Sequence, residues 1–425
     1  MTNKNTPVCI IGAGPAGFTT AFHLAKVGIK SIILDKDISP RTKPCADILT
    51  SISLRELRKL FPKFTDGLEV SKRLANSKGV IIHAPNYHQF TMEYLPEKGE
   101  DVPLCYALKR SDLDVFLTEQ ARANPLIELI EQFNVKKIHR ENGIVTLSDN
   151  KGRSVETPLV IVAAGSNAPL AGQLTGEKKD FKHFAVGVRA YFKNVKMPQT
   201  SNCELFIREK MMPGAFYIAP FYDDTMNVNM VMRSDVVKKK KINIKELFLK
   251  MIQEDPDLKE RFKDAEMIGE IQGSGLKLGT KTRKASGDNF ILTGDSAGLI
   301  DILSANGLPQ AFLSGRLAAE FAQKAILAND YSAQFTGQFD EILFDAVDKY
   351  VKTGKLIAPF MNKRWYNWAT KILINFFAKR MQTNDALRDL LMYDSDAKHT
   401  ILKPSFYLKI FFRSKNPDAE SHLVS

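Results

Sequence analysis

The chain has 425 residues, of which 44% are hydrophobic and 25% are charged, and its formal net charge is +12 at pH 7. These are ordinary globular proportions, so the composition excludes a largely disordered chain and predicts about two or three packed units rather than a single core. The positive charge indicates an anionic partner, which can be a membrane surface, a nucleic acid or a phosphorylated ligand.

Cysteine and histidine are sparse: the four cysteines are widely separated and the seven histidines form no HxH or HExxH cluster. This spacing predicts neither a metal site nor a disulfide framework, and it is typical of a reducing cytoplasm. No stretch approaches the roughly 18 uninterrupted apolar residues of a membrane span. The mildly apolar residues 7–25 contain three glycines in a defined pattern and no strongly basic leader, so a targeting peptide is the weaker interpretation.

The predicted elements begin with a buried strand at Val8–Ile11, a helix at residues 18–27 and a second buried strand at Ser31–Leu34. Together they predict one β-α-β unit, because a short apolar run, a helical run and another apolar run follow each other along the chain. The turn between the first strand and the helix carries the three glycines.

This turn has the pattern GxGxxG, formed by Gly12, Gly14 and Gly17, with Ala16 before the last glycine. Gly12 permits the tight turn, Gly14 lets the backbone approach a pyrophosphate, and Gly17 lets the helix pack closely on the strand. The helix N-terminus adds N–H donors and a partial positive charge for phosphate. Asp35 ends the second strand 18 residues after Gly17, where a carboxylate accepts hydrogen bonds from a ribose. The sequence therefore predicts a dinucleotide-binding site.

Short helices and strands follow, predicted as helices at 51–61 and 112–123 and as strands at 80–83 and 89–94. Residues 127–162 contain short alternating strands separated by turn residues, which predicts a β-meander. A second strand-rich stretch covers residues 184–232. An apolar strand at 290–293 precedes a long helix at about residues 308–327, and the rest of the chain is predicted to be helical.

The strand at 290–293 leads into Gly294 and Asp295, a Gly-Asp turn of the kind that two-motif flavoproteins use to bind the pyrophosphate and ribityl chain of FAD. The same segment, GDSAG, matches the GxSxG nucleophile elbow of α/β-hydrolases, with Ser296 as the nucleophile. A hydrolase needs a histidine downstream of the serine, and only His399 and His422 are available. The hydrolase interpretation also gives no role to the N-terminal glycine pattern. The flavoprotein interpretation is therefore favoured.

The order of motifs along the chain resembles the FAD domain shared by aromatic hydroxylases and geranylgeranyl reductases. The glycine pattern comes first, then Arg110 before a helix, then an AAG segment ending at Gly165, then Gly294 and Asp295. The resemblance covers most of residues 1–325. It implies FAD as the cofactor, with Arg110 reaching it.

Smaller signals favour the reductase branch of that family. The segment KPCAD at residues 43–47 is similar to the KPCGD-type segment of geranylgeranyl reductases, in which the cysteine lies beside the flavin and the substrate. The resemblance implies Cys45 as a catalytic residue that supplies a proton or orients a double bond, and an incidental buried cysteine is the alternative. The resemblance also implies that Gly307 lets N–H groups at the start of a helix face the flavin. The alternative is an ordinary helix N-terminus, where a glycine would fit equally well.

The chain also departs from the reductase pattern. The family has a Tyr-x-Trp-x-Phe-Pro motif followed by glycines. In this chain the three aromatic positions are Ala215, Tyr217 and Ala219, so only one aromatic and the proline are kept, and the glycines are replaced by Asn227 and Asn229. These departures concern the substrate and leave the predicted fold unchanged.

The C-terminal region has a distinctive charge pattern, since residues 349–384 contain eight Lys or Arg and no acidic residue. Trp365 and Trp368 lie on one predicted helical face with Ile372 and Phe376, which is typical of a helix lying on a membrane surface. The alternative is a helix that packs this apolar face on the rest of the protein. Residues 396–418 repeat the basic and aromatic chemistry. No nucleic-acid-binding module is visible, and the four lysines at 238–241 are predicted to be a solvated loop.

We therefore predict an α/β fold with a discontinuous FAD-binding domain of parallel sheet and β-meander, an inserted sheet-rich substrate domain and a helical C-terminal region. The predicted FAD-binding domain covers residues 1–75, 105–175 and 280–328. The predicted substrate domain covers 76–104 and 176–279, and the C-terminal region covers 329–425.

The predicted function is reduction of a carbon–carbon double bond in a lipophilic, isoprenoid-like or polyene-like substrate. A flavin monooxygenase and an electron-relay flavoprotein at the membrane surface are the alternatives. Only one dinucleotide pattern is present, so NAD(P)H would visit transiently or a ferredoxin-like protein would deliver electrons. We expect a cytoplasmic protein that can associate with the inner face of the membrane and does not bind nucleic acid.

Overall fold

The structure of the protein is a computed structural model that describes the chain in eight ranges, which are residues 3–41, 43–66, 75–77, 79–93, 105–166, 169–197, 202–361 and 363–381. The predicted α/β architecture is confirmed. Within the described ranges the strands form four sheets, and helices cover two of them.

The central sheet has six strands, in the order Ser286–Gly287, Phe290–Leu292, Val160–Val162, Val8–Ile11, Ser31–Leu34 and Ile127–Ile130. All neighbours are parallel except the first pair, which is antiparallel. All four inner strands are buried along their whole length, which is why they appear in the sequence as largely apolar runs. The packing helices are Pro15–Lys26, Ser51–Leu60, Arg110–Arg122 and Leu308–Ala328.

The predicted β-meander is present as a second sheet, in the order Asn3–Asn5, Ser154–Thr157, Ile144–Ser148 and Lys137–Glu141. A small third sheet joins Ile48–Thr50, Cys105–Ala107 and Ala75–Ser77. The second sheet lies within segments that the prediction assigned to the FAD-binding part of the chain, whereas the third includes Ala75–Ser77, which crosses the predicted boundary at residue 75.

The largest sheet has seven strands, in the order Glu266–Lys277, Phe184–Lys193, Met226–Arg233, Gly214–Pro220, Cys203–Phe206, Gly79–His83 and Gln89–Glu93. It unites strands from both segments predicted as the substrate domain, and the exact domain boundaries stay a proposal. One face of the sheet is apolar and packs on the helix Ile244–Glu254, through side chains that include Phe192, Phe216 and Phe248. The opposite face carries polar side chains.

Several predicted elements differ from the observed ones. The first helix begins at Pro15 rather than residue 18, because proline is accepted in the first helical turn. No element was predicted for the helix Ile244–Glu254 or the strand Glu266–Lys277. The prediction of a loop at residues 238–241 is partly wrong, since Lys238 and Lys239 end the helix Ser234–Lys239, although all four lysines are exposed.

The C-terminal region is helical as far as it is described, with helices Ala333–Thr336, Gln338–Ile357 and Arg364–Met381. The second basic stretch at 396–418, His399 and His422 lie outside the described residues. No helix in the described ranges is long and apolar enough to cross a membrane. The short helices Leu170–Thr175 and Ser234–Lys239 complete the set of described α-helices.

Candidate functional site

The glycine-rich turn lies at the carboxyl end of the central sheet, between Val8–Ile11 and the first helix. Gly12 has a positive φ of 108°, and a Cβ there would lie 2.5 Å from the Ala163 carbonyl oxygen. A Cβ at Gly17 would overlap the Gly12 carbonyl oxygen, so the helix could not keep its place. Only glycine fits at Gly12 and at Gly17, and this lets the backbone of the turn lie close to the neighbouring strand and helix.

Asp35 faces this turn from the end of the neighbouring strand. Its Oδ2 accepts a hydrogen bond of 2.6 Å from the Ala13 N–H and a second of 2.6 Å from Arg41 Nη1. Arg41 also donates through Nε to Asp114 Oδ2 at 3.2 Å. The sequence analysis had not identified Arg41, which the fold places beside Gly14, with Nη2 3.4 Å from where a Cβ of Gly14 would be.

Arg110 approaches the same turn from the start of its own helix. The side chain is buried, with the residue only 4% exposed, and its Nε donates to Asp114 Oδ1 at 2.8 Å. Its Nη2 has no hydrogen-bond partner and lies 3.9 Å from the Cβ position of Gly14. Because a buried N–H without a partner is costly, this guanidinium is suited to an anionic ligand at the turn. Two guanidinium groups and a helix N-terminus thus converge where a pyrophosphate would bind.

The second predicted motif, the turn of Gly294 and Asp295, lies beside the glycine-rich turn. Asp295 Oδ2 accepts a hydrogen bond of 3.3 Å from Lys43 Nζ, and its Oδ1 lies 3.1 Å from the Cβ position of Gly307. Lys43 Nζ is also 3.8 Å from the Cβ position of Gly165. Gly294 sits against Ala16, which explains the small residue at that point of the first helix. The fold therefore brings together all the residues predicted to bind the cofactor, and their individual roles stay predictions.

Ser296 gives no support to the hydrolase interpretation. It is fully buried, and its Oγ donates to the Gly165 carbonyl oxygen at 3.3 Å. The strand is followed by the short 3₁₀ turn Gly294–Ala297, and the next helix starts only at Leu308. A nucleophile elbow instead exposes its serine on a sharp turn directly between a strand and a helix.

Cys45 lies where the predicted cofactor site meets the polar face of the large sheet. Its Sγ accepts a hydrogen bond of 3.4 Å from the Asp47 N–H, and its carbonyl oxygen accepts one of 2.8 Å from Asn227 Nδ2. The buried carboxylate of Asp47 accepts from Tyr191 Oη and Asn227 Nδ2, both at 2.8 Å, and from the Arg110 N–H at 3.1 Å. The large sheet thus fixes the position of the cysteine segment.

Burial and the neighbouring charges shift the titration of this cluster. Burial raises the pKa of the Cys45 thiol, and the carboxylate of Asp47 raises it further. Burial also raises the pKa of Asp47 to about 6, despite the hydrogen bond from Tyr191 and the charge of Arg189. Cys45 therefore stays a thiol at neutral pH, which is the form that can donate a proton.

Sequence reasoning did not pair Tyr191 and Asn227 with the Cys45 segment, because both come from strands far away in the chain. Asp47 belongs to the KPCAD segment itself, but nothing local showed that its carboxylate would be held by those two side chains. Among the described residues no group of three His, Cys, Asp or Glu side chains could hold a metal ion.

A parallel sheet with a glycine-rich turn, an acidic strand end and a buried guanidinium with an unpartnered N–H over the turn is the arrangement of a dinucleotide-binding flavoprotein. A family model described as an FAD binding domain matches residues 5–300 of the chain. The protein belongs to this FAD-binding domain family, and it is an FAD-dependent oxidoreductase that resembles geranylgeranyl reductases.

Relatives with known names include reductases and halogenases. A digeranylgeranylglycerophospholipid reductase of Methanococcus vannielii is 27% identical over 340 residues, covering 78% of this chain and 80% of the relative. A 1H-pyrrole-2-carbonyl-[peptidyl-carrier protein] chlorinase of Pseudomonas fluorescens is 23% identical over 439 residues, covering 94% and 96%.

Solved structures confirm the fold. A geranylgeranyl bacteriochlorophyll reductase-like protein of Thermoplasma acidophilum superposes with a TM-score of 0.76 at 17% identity, covering 94% of this chain and 99% of that one. A single-residue mutant of the halogenase PltM, in complex with FAD, superposes with a TM-score of 0.68 at 20% identity, covering 93% of this chain and 84% of that one. The match of the FAD-binding domain model over residues 5–300 confirms the predicted cofactor, FAD.

Proposed function

We propose that the protein reduces a carbon–carbon double bond of a lipophilic, isoprenoid-like or polyene-like substrate. When bound, FAD supplies hydride chemistry, and its electrons come from a nicotinamide nucleotide or a ferredoxin-like protein. The observation that carries the proposal is the position of the Cys45 thiol between the FAD-binding motifs and the large sheet, where burial raises its pKa. The similarity to reductases that act on geranylgeranyl lipids supports it.

Within this proposal one alkene carbon gains a hydride and the other gains a proton from the Cys45 thiol, so the double bond is replaced by two C–H bonds. The thiolate then recovers its proton from water. Asp47 has a positioning role, because its N–H contacts Sγ and its charge keeps the thiol protonated, whereas Arg110 and Lys43 act in the opposite direction. Tyr191 and Asn227 hold the Asp47 carboxylate in place.

Replacing Cys45 with serine is expected to slow reduction of the substrate about a hundredfold, because general acid catalysis typically contributes that much or more. FAD content and reduction of the flavin by its donor should not change, since neither requires the thiol. Stopped-flow measurement of the two half-reactions tests this. The matched control is Ser296→Ala, which removes a buried hydroxyl near the cofactor site. Unchanged turnover in Cys45→Ser would reduce this cysteine to a packing residue.

A flavin-dependent monooxygenase or halogenase is the second candidate, because the chlorinase relative covers 94% of this chain. Such an enzyme consumes oxygen in proportion to product and adds an oxygen or halogen atom. The proposed reductase works without oxygen. Turnover under argon therefore separates the two candidates.

We also propose that the helix Arg364–Met381 contacts a membrane surface. Trp365 and Trp368 are 58% and 65% exposed, and Ile372 is exposed on the same side. An adjoining side of the helix rests on the protein: Asn375 Oδ1 accepts from the Asn86 N–H at 3.1 Å, and Lys371 pairs with Glu209. The helix thus docks through polar contacts and leaves tryptophans outward, which suits insertion among lipid headgroups.

Replacing Trp365 and Trp368 with alanine is expected to weaken binding to vesicles of anionic lipid at least about tenfold at all salt concentrations, because the lost contact is apolar. Replacing the exposed Arg364 and Lys379 with glutamine should weaken it mainly at low salt, since salt screens that attraction. Liposome co-sedimentation measures both. If the tryptophan variant melts at a lower temperature and binds vesicles as before, these side chains stabilise the fold and the membrane proposal fails.

A further inference from the structure

The polar face of the large sheet forms an ordered row next to Cys45. The strand register places Gln272, Arg189, Asn229 and Tyr217 side by side on four neighbouring strands. Since side chains alternate along a strand, this row points away from the apolar face that includes Val188. The next row of the same face contains Tyr191 and Asn227, the two side chains that hold Asp47.

Arg189 is the one cation of this row, and its charge is incompletely satisfied. The residue is 5% exposed, its guanidinium lies 4.0 Å above the ring of Tyr191, and its Nε is buried without a hydrogen-bond partner. Burial raises the pKa of Asp47 and the charge of Arg189 lowers it, but no carboxylate in the described ranges forms a salt bridge with Arg189. Buried polar groups of this kind are costly unless a ligand satisfies them.

We infer that Arg189, with Asn229, binds a carboxylate of the substrate next to the double bond. The inference deepens the proposed function and depends on it for the identity of the reacting bond. A single guanidinium balances one negative charge, and its planar donors match a carboxylate. The carboxamide of Asn229, whose Nδ2 donates to Asn227 at 3.5 Å, supplies a further N–H.

The same row would also stabilise the reaction of a substrate whose carboxylate is conjugated to the double bond that is reduced. When hydride adds to the carbon remote from the carboxylate, negative charge develops on the carboxylate oxygens until Cys45 protonates the adjacent carbon. A fixed guanidinium at those oxygens stabilises that charge. The substrate class is thus an amphiphile with a conjugated carboxylate and an apolar tail. The small side chains of Ala215 and Ala219, on neighbouring positions of the same face, leave this wall less crowded than the aromatic motif of the reductases.

Retinoate and retinol are suitable probes, because they share one polyene chain and differ in the carboxylate. Isothermal titration calorimetry of the FAD-loaded protein should show that retinoate binds at least about tenfold more tightly, as expected for hydrogen bonds to a charged group. Arg189→Gln should abolish this preference without loss of FAD. Asn229→Ala should reduce it severalfold, which keeps a test available if the arginine variant does not fold.

Lys193→Gln is the matched control, since this lysine lies at the exposed end of the same strand and pairs with Glu266. It should keep the preference for retinoate. Equal affinity of the unmodified protein for the two probes, or an unchanged preference in Arg189→Gln, would overturn the inference. Selective binding without any reduction of a double bond would contradict the proposed function and leave the carboxylate site standing.

Discussion

Replacing Gly14 with valine is expected to abolish FAD binding and leave the fold intact. Around a Cβ at this position the nearest atoms are the flexible guanidinium ends of Arg41 and Arg110, at 3.4 and 3.9 Å, so the protein itself can accommodate the side chain. The cofactor cannot, because valine would fill the space between the helix N-terminus and the two arginines. We expect at least about a hundredfold loss of affinity, or roughly 3 kcal/mol.

Flavin absorbance after purification and a melting curve of the protein without cofactor measure the two effects separately. Gly17→Ala is the informative comparison, because its methyl group would overlap the Gly12 carbonyl oxygen and should lower the melting temperature itself. If Gly14→Val keeps its full FAD content, the pyrophosphate binds elsewhere and the assignment of this turn is wrong.

The second large effect is expected for Glu177→Gln, which should lower the free energy of unfolding by about 2 kcal/mol at pH 7. Glu177 accepts from Lys277 Nζ at 2.9 Å, Lys281 Nζ at 3.0 Å and Arg283 Nε at 2.9 Å. Lys277 and Arg283 are buried, so the substitution leaves two cations poorly compensated. The figure is below that of a fully buried pair, because solvent partly screens the carboxylate.

This contribution should depend on pH in a defined direction. Burial alone would raise the pKa of Glu177, but hydrogen bonds from Lys277 and Lys281 and the charge of Arg283 lower it to about 2, from an ordinary value of 4.5. Its stabilisation is therefore complete above pH 4.5 and is lost as the pH falls towards 2. Denaturant unfolding should show a larger difference in the free energy of unfolding between the unmodified protein and Glu177→Gln at pH 7 than at pH 3.

Glu320→Gln, an exposed partner of Arg316, is the control and should change stability by less than about 0.5 kcal/mol. The cluster also bears on the cofactor site, since Lys277 Nζ donates to the Ser296 carbonyl oxygen at 3.0 Å, directly after the Gly-Asp turn. Weaker FAD retention should accompany the loss of stability. An equal free energy of unfolding at pH 7 would show that the cations find other partners.

The sequence was sufficient for the parts of the fold that depend on local patterns. The strand at Val8–Ile11, the glycine turn and Asp35 were predictable because each has its own spacing requirement and all fall within one β-α-β unit. Asp295 was predictable from a second local motif. The helical C-terminal region followed from its periodicity.

The remaining part of the site depends on contacts between residues far apart in the chain. Asp47 meets Tyr191 and Asn227 across 144 and 180 residues, and only the strand register of the large sheet brings them together. Arg41 was missed for a different reason: its loop has no periodic pattern, so nothing in the sequence relates it to the glycine turn. Its role becomes visible from its contacts with Asp35 and Asp114.

The C-terminal helix shows a limit of periodicity arguments. The pattern separated an apolar face from a polar face, but it could not determine which one contacts the protein. The structure docks the helix through Asn375 and Lys371 and exposes the tryptophans. In an isolated globular protein the apolar face would ordinarily be the buried one.

The central claim is that the protein adds two hydrogen atoms to a double bond. Its most direct test is an anaerobic incubation of the FAD-loaded, chemically reduced protein with a polyene or isoprenoid lipid in deuterated water, followed by mass spectrometry of the lipid. The reductase account predicts loss of one double bond, with deuterium on the protonated carbon and dependence on Cys45. A lipid that stays unchanged under argon and gains an oxygen or halogen atom only in air would contradict it.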